Sequence, residues 1–104
     1  MTPEGKVKAN VRKVLNDAGI WFFCPVSNGM GRHGIPDFIC CKDTLITADM
    51  VGQHIGEFIG FETKAPGKRG NVSPLQSDCH DEIRHVSGRV YVVDDASQVK
   101  DSIT

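Results

Sequence analysis

Residues 56–64 read Gly56-Glu57-Phe58-Ile59-Gly60-Phe61-Glu62-Thr63-Lys64, and a turn separates them from Ser73-Pro74-Leu75-Gln76. The first stretch predicts a strand. Its side chains alternate, so Phe58, Gly60, Glu62 and Lys64 share one face, while Glu57, Ile59, Phe61 and Thr63 share the other. The Glu62 face changes from apolar to charged at its C-terminal end, where open α/β sheets place their sites. Ala65-Pro66-Gly67-Lys68-Arg69-Gly70-Asn71 is a basic turn. Ser73 then predicts a helix N-cap, and Gln76 three residues on completes the spacing of a capping box.

From this block the chain continues in both directions as short regular elements. Leu75, Cys79, Ile83 and Val86 recur at helical spacing and predict the buried stripe of the second helix, which Gly88 ends. Val90-Tyr91-Val92-Val93 predicts a strand, and a short helix over 96–103 follows with Asp94 or Asp95 as its cap. Upstream, residues 43–55 read as a turn or crossing segment with a short helical piece. Ile35-Pro36-Asp37-Phe38-Ile39-Cys40-Cys41 predicts a second strand with Asp37 at its mouth, and Ile20-Trp21-Phe22-Phe23-Cys24 predicts a first, buried one. Between them Ser27-Asn28-Gly29-Met30-Gly31-Arg32-His33-Gly34 is glycine-rich and basic, but it matches neither the P-loop nor the dinucleotide fingerprint. A plain connector explains that loop as well as a phosphate cradle does.

The N-terminus carries a compact helix signal: Thr2 as N-cap, Pro3 at the first helical position and Gly19 as the stop. Val7, Val11, Val14, Leu15 and Ala18 form one apolar stripe from which Glu4 also projects. Lys8 and Arg12 flank that stripe. A first-turn acid such as Glu4 is also what the helix dipole favours. The whole order is helix, three strands, helix, strand, helix, which predicts a small mixed α/β fold in one domain over 1–104.

Composition narrows the class further. The chain has 104 residues, 39% hydrophobic and 24% charged, which disfavours disorder, collagen and coiled coil. No run approaches the roughly 18–20 apolar residues of a membrane span, and the first residues lack the order of a signal peptide. Cys24, Cys40, Cys41 and Cys79 include no CxxC pair, so reduced cysteines, most of them buried, are expected in a cytoplasmic protein of a bacterial cell or phage-infected host. Zinc on Cys24, Cys40, Cys79 and His80 has no supporting ligand spacing.

The net charge of −1 hides an uneven distribution. Residues 1–42 hold six basic and three acidic side chains, and residues 63–74 hold three basic and none acidic, so each stretch is +3. Residues 43–62 and 75–104 carry −4 and −3. Two basic stretches on a near-neutral chain are compatible with a DNA substrate held at modest non-specific affinity.

The chemistry concentrates on Asp37 and on Glu62-Thr63-Lys64. Two carboxylates delivered from neighbouring strands suit a hard cation such as Mg²⁺ or Mn²⁺, and the carbonyl of Thr63 offers a third oxygen. Lys64, on the Glu62 face, is placed to orient or help deprotonate a water held by that cation. An acid–x–lysine triplet by itself also occurs as an ordinary charge pair on an exposed strand. The surrounding pattern separates the two readings. Asp37 follows a basic glycine-rich loop, and Lys64 runs straight into a second basic turn and a polar helix start.

Gly34-Ile35-Pro36-Asp37-Phe38, Phe61-Glu62-Thr63-Lys64 and Ser73-Pro74-Leu75-Gln76 together resemble the PD-(D/E)xK nuclease superfamily, and within it most closely the small stand-alone VRR-NUC nucleases. The resemblance runs from Glu4 to the strand at Val90. It implies a restriction-endonuclease-like mixed sheet flanked by helices, with a divalent metal at the sheet's open edge. It implies Asp37 and Glu62 as metal-binding acids, the Thr63 carbonyl as a further ligand, Lys64 as the catalytic lysine and Glu4 as the helix acid completing the site. Gln76 matches a helix glutamine near the active site, and its capping role explains it equally. Lys8, Arg12, Ser27, Asn28, Arg32, His33, Lys68 and Arg69 are the candidate DNA contacts, although His33 is equally an exposed loop histidine. His54, His80 and His85 receive no role.

The expected function is hydrolysis of DNA phosphodiesters by a homodimer that resolves four-way (Holliday) junctions, since a two-fold dimer matches a two-fold junction. Flap-, nick- or end-directed cleavage by the same site is the alternative, as is a non-catalytic binding module of the same fold. The dimer interface is expected at Trp21–Phe23, at the crossing segment around Leu45–Ile55 or at the last strand.

Overall fold

The computed structural model describes residues 1–26 and 36–103, and the chain divides into two compact units, Met1–Asp43 and Thr44–Thr104. The elements follow the predicted order. The strands, however, form two separate two-stranded sheets, so the strands nearest Asp37 and Glu62 belong to different sheets. The expectation that neighbouring strands deliver these two acids is therefore not met among the described residues.

In the first unit α1 spans Pro3–Asp17. It starts where expected, because the Thr2 hydroxyl accepts the Gly5 N–H at 3.0 Å and Pro3 needs no partner for an N–H it lacks. It stops at Gly19, whose φ of 70° allows Gly19 and Ile20 to donate back to Asn16 and Leu15, a Schellman motif. β1 (Trp21–Phe23) and β2 (Ile39–Cys41) then pair antiparallel, with Phe22 opposite Cys40. The Phe22 and Phe38 rings lie 5.8 Å apart, and Arg12 of α1 ties the helix to the sheet. Its guanidinium sits 6.0 Å from the centre of the Phe38 ring and donates to Cys24 Sγ.

Three expectations change here. The first strand is half-exposed rather than buried, with Phe23 on the surface. The apolar stripe of α1 buries nothing: Val7, Val11 and Val14 stay exposed and line a shallow groove with Asn10 and Leu15. Of the four cysteines only Cys41 is buried, which pushes its thiol up, and Cys40 and Cys79 are exposed. A small sheet beside one helix has too little apolar area to cover all of these side chains.

The second unit begins with a single 3-10 turn at Ala48–Met50 inside the predicted crossing segment. β3 (Ile59–Thr63) and β4 (Arg89–Val93) follow, joined by α2 (Pro74–His85). They pair parallel, Ile59 opposite Arg89 through Thr63 opposite Val93. A parallel pair needs a crossover, and α2 supplies it. Ile83, Val90 and Val93 are the buried apolar centre. On one face of the pair Phe61 stacks on Tyr91 at 5.7 Å. Arg89 covers that ring, pairs with Glu57 at 2.5 Å and donates to the Ser102 carbonyl of α3 (Ala96–Ile103). The bonds to Glu57 and Tyr91 push the Arg89 guanidinium above its ordinary range.

Both ends of α2 are set by local chemistry. Ser73 and Gln76 close the capping box in both directions. At the far end Ser87, at φ 71°, is the left-handed residue of a second Schellman motif, and Gly88 supplies the N–H that returns to Ile83. The buried face of α2 differs from the expected one. Ile83 is buried and Val86 half-buried as expected, but Leu75 is 83% exposed and Cys79 is exposed, while Gln76 and His80 turn inward in the first two turns. There the helix trades apolar burial for polar partners near β3. Asp95 caps α3 by accepting the Ser97 N–H, and no described helix is long and apolar enough to cross a membrane.

Candidate active site

Two residues along a strand advance about 6.7 Å, and four along a helix advance about 6 Å. Because α2 returns the chain from β3 to a parallel β4, it runs antiparallel to β3. Side chains two apart on the strand therefore meet side chains four apart on the helix, in reverse order. The second unit shows this ladder. Glu62 Oε1 faces His80 Nε2 at 3.9 Å, and Lys64 Nζ donates to Gln76 Oε1 at 3.0 Å.

The Lys64–Gln76 rung joins two readings of Gln76. Its Oε1 also accepts the Ser73 N–H at 3.0 Å, and its own N–H donates to Ser73 Oγ. One oxygen thus caps the helix and holds the lysine. The ammonium rests on a neutral amide rather than on a carboxylate, so its full charge and two of its three donors are kept for another partner. Lys64 is fixed at its backbone too, where its N–H bonds the Val93 carbonyl at 2.8 Å. No Glu62–Lys64 ion pair forms among the described residues, so the triplet is not the exposed charge pair that such a sequence otherwise suggests. Thr63 lies between them with its side chain on the opposite face, exposed.

The first unit gathers a different set. Lys8 Nζ lies 3.9 Å from both Glu4 Oε1 and Asp37 Oδ2. Asp37 precedes β2 by two residues in a bend. Glu4, expected to point inward with the apolar stripe, has a side chain 78% exposed. Lys8 is thus shared between the two acids, all three side chains being well exposed. Pairs this exposed contribute little, about 0–1 kcal/mol.

Of the other candidate contacts, Arg12 lies over Phe38, and Arg69 reaches Asp94 Oδ1 at 3.5 Å. Asp94 also accepts the Gly67 N–H and a Gln98 amide N–H, and these bonds, with Arg69, hold its carboxyl below the usual carboxylate range. The basic turn is thereby anchored, with Lys68 exposed at its tip. Ser27, Asn28, Arg32 and His33 lie outside the described residues.

The donor chemistry suits a hard cation. The acids offer only oxygen, and within the first unit two carboxylates already converge on one positive charge. Among the described residues no three His, Cys, Asp or Glu side chains gather as a metal-holding group, and Asp37 and Glu62 lie in different units. Cys24 and Cys40 are likewise separated by unit from Cys79 and His80.

The sequence reading passed over His80. It is 8% exposed, the buried polar residue of the described chain, and it sits one helical turn after Gln76. That i, i+4 spacing, set against the i, i+2 spacing of Glu62 and Lys64, was the available signal. Comparison with protein-family models, curated proteins and solved structures finds no match to this chain.

Proposed function

We propose that this chain is a divalent-metal-dependent endonuclease that hydrolyses DNA phosphodiesters, resolving four-way junctions as a homodimer. The observation that carries the reading is the seating of Lys64 on Gln76 Oε1, beside Glu62 but unpaired with it. A lysine on a neutral acceptor, next to a carboxylate aimed elsewhere, is arranged to orient a nucleophile rather than to stabilise a strand.

In this reading Asp37, Glu62 and the Thr63 carbonyl hold Mg²⁺ or Mn²⁺, with Glu4 as the remaining acid. The bound ion lowers the pKa of water and offsets charge on the phosphodiester. Lys64 directs the attacking water, and Gln76 keeps Lys64 in place. Lys68, exposed in its anchored turn, meets substrate phosphate, and Lys8 is a further candidate contact. The parallel β3–α2–β4 segment is compatible with the restriction-endonuclease-like mixed sheet that this reading implies.

The test is incubation with four-way junction, flap, nicked and linear duplex DNA in Mg²⁺, Mn²⁺ or EDTA. Symmetric paired cuts across the junction are expected with metal and none with EDTA. Preferential flap or end cutting would retain the nuclease and remove junction resolution. Asp37→Ala, Glu62→Ala and Lys64→Ala should each abolish cleavage with an unchanged melting temperature, and a Lys64→Ala protein cutting at the wild-type rate would remove the assigned role of that lysine.

A further inference from the structure

We infer that Asp94 is a positioning residue for the substrate: its carboxylate, bonded to the backbone of the 65–71 turn, fixes Lys68 where that side chain meets a DNA phosphate. The inference rests on the reading of Lys68 as a DNA contact and deepens it. Three observations carry it. The turn itself holds the Lys68 backbone. Ala65-Pro66-Gly67-Lys68 is a type II turn, with Gly67 at φ 79° and the Lys68 N–H donating to the Ala65 carbonyl at 2.9 Å. The Lys68 carbonyl then accepts the Asn71 N–H at 2.9 Å, so both of its backbone groups are bonded. Asp94 ties this double turn to the end of β4 by accepting the Gly67 N–H at 2.8 Å, one residue before Lys68. Asp94 is in turn fixed by Gln98, which donates to Oδ1 at 2.7 Å and accepts the Asp94 N–H at 2.9 Å. The Asp94 side chain is only 15% exposed, so the negative charge is withdrawn from the surface while Lys68 and most of Arg69 stay on it.

Two roles for this acid predict opposite signs. As a charge, Asp94 opposes a polyanion, and its removal should tighten DNA binding. As an anchor, it removes in advance the freedom that the turn would otherwise lose on binding, and its removal should weaken DNA binding. The carboxylate is already met by Arg69 at 3.5 Å and by two N–H donors. Little of its field is left to act on a bound strand, so anchoring outweighs repulsion.

The test uses the full chain and a fluorescent four-way junction, with binding read by anisotropy in EDTA over a series of salt concentrations and folding read by thermal melting. Asp94→Ala should bind about three- to tenfold more weakly and lose about one unit of slope in log affinity against log salt, as one phosphate contact goes. Asp95→Asn removes the neighbouring acid, which caps α3 through Ser97, and should stay within about twofold of the wild type. Lys68→Ala should lose affinity as Asp94→Ala does. The double variant should bind no worse than Lys68→Ala alone, because the anchor acts through that side chain. If the Ala protein does not fold, Asp94→Asn replaces it. Its single amide oxygen serves either Gly67 or Gln98, and a smaller loss is expected, again absent once Lys68 is alanine. Unchanged or tighter binding in the Asp94 variant would overturn the inference and leave the nuclease reading standing. So would a loss that adds in full to that of Lys68→Ala. The expected Asp94 and Lys68 effects in a wild type that cuts no DNA with Mg²⁺ or Mn²⁺ would support the anchor and remove the nuclease. A wild type that binds no DNA would overturn both.

Discussion

The two units handle their charged residues in opposite ways. In Thr44–Thr104 Lys64 bonds Gln76, Asp94 bonds Gly67 and Gln98, and Glu62 lies half-buried beside the buried His80. In Met1–Asp43 Glu4 and Asp37 share one lysine at 3.9 Å, all three well exposed. The difference follows from topology. A parallel pair forces a helix to return across it, and that helix brings a second layer of side chains to meet the first. An antiparallel pair needs no such cover. The second unit therefore holds its charged side chains in place in advance, whereas the first leaves its two acids loosely held. The sharpest break of this contrast is kinetic. Glu62→Gln should lower single-turnover cleavage by about 10²-fold or more, whereas Glu4→Gln should cost about tenfold, since a loosely held ligand contributes less. Equal losses would show that the ladder confers no advantage.

Stability should divide along the same line. Ile83 sits in the buried centre under α2, so Ile83→Ala is expected to cost about 2–4 kcal/mol in urea unfolding. Val14, on the uncovered stripe of α1, should cost less than about 0.5 kcal/mol as alanine. A large loss at Val14 would mean that something covers α1 in solution.

The helix ends give a finer comparison, because α1 and α2 close with the same Schellman motif, one through Gly19 and the other through Ser87. No atom approaches the place where a Gly19 side chain would begin, so Gly19→Ala meets only backbone strain, about 1 kcal/mol. Ser87→Gly should shift stability the other way by roughly half as much, because the relieved strain is partly offset by a more flexible unfolded chain. Thermal melts of the two variants read both signs.

These contrasts also explain what could be read from the residues. Thr2, Ser73, Gln76 and Gly19 act within four positions along the chain, and their caps and stops form where the sequence places them. Ser87 carries no such signal, because the glycine that follows it is the commoner left-handed helix stop. The apolar stripe of α2 holds at Ile83 and Val86, but in the first two turns Leu75 and Cys79 look apolar and are exposed, and Gln76 and His80 look like surface and turn inward. Only the carboxylate and ammonium on β3, far away in sequence, give those polar side chains a reason to turn inward. Strand partners are non-local in the same way. Nothing in the three residues of β2 specifies whether they pair with β1 alone or also with β3. Asp37 and the Glu62-Thr63-Lys64 triplet are legible as residue types in order, and the amide that holds Lys64 is legible as a cap.

The smallest expected effect appears only in acid. Asp94 accepts the Gly67 N–H at 2.8 Å and the Gln98 amide at 2.7 Å and faces Arg69, so its carboxyl titrates below the usual aspartate range in the folded chain. A depressed folded pKa contributes stability above the unfolded value, near 3.9, and that contribution disappears as pH falls through the folded value. Urea midpoints measured from pH 6 down to pH 3 should therefore decline for the wild type, and Asp94→Asn should flatten part of that decline below about pH 4. Asp95, depressed by its bonds from Ser97, adds to the same limb and remains in the variant, so the flattening is incomplete. Lys8→Ala is the counterpart from the first unit. It removes both of that unit's exposed pairs to Glu4 and Asp37 and should change the unfolding free energy by less than about 0.5 kcal/mol at any pH. A larger Lys8 effect, or an acid limb unaltered by Asp94→Asn, would reverse the assignment of held and loosely held charges between the two units.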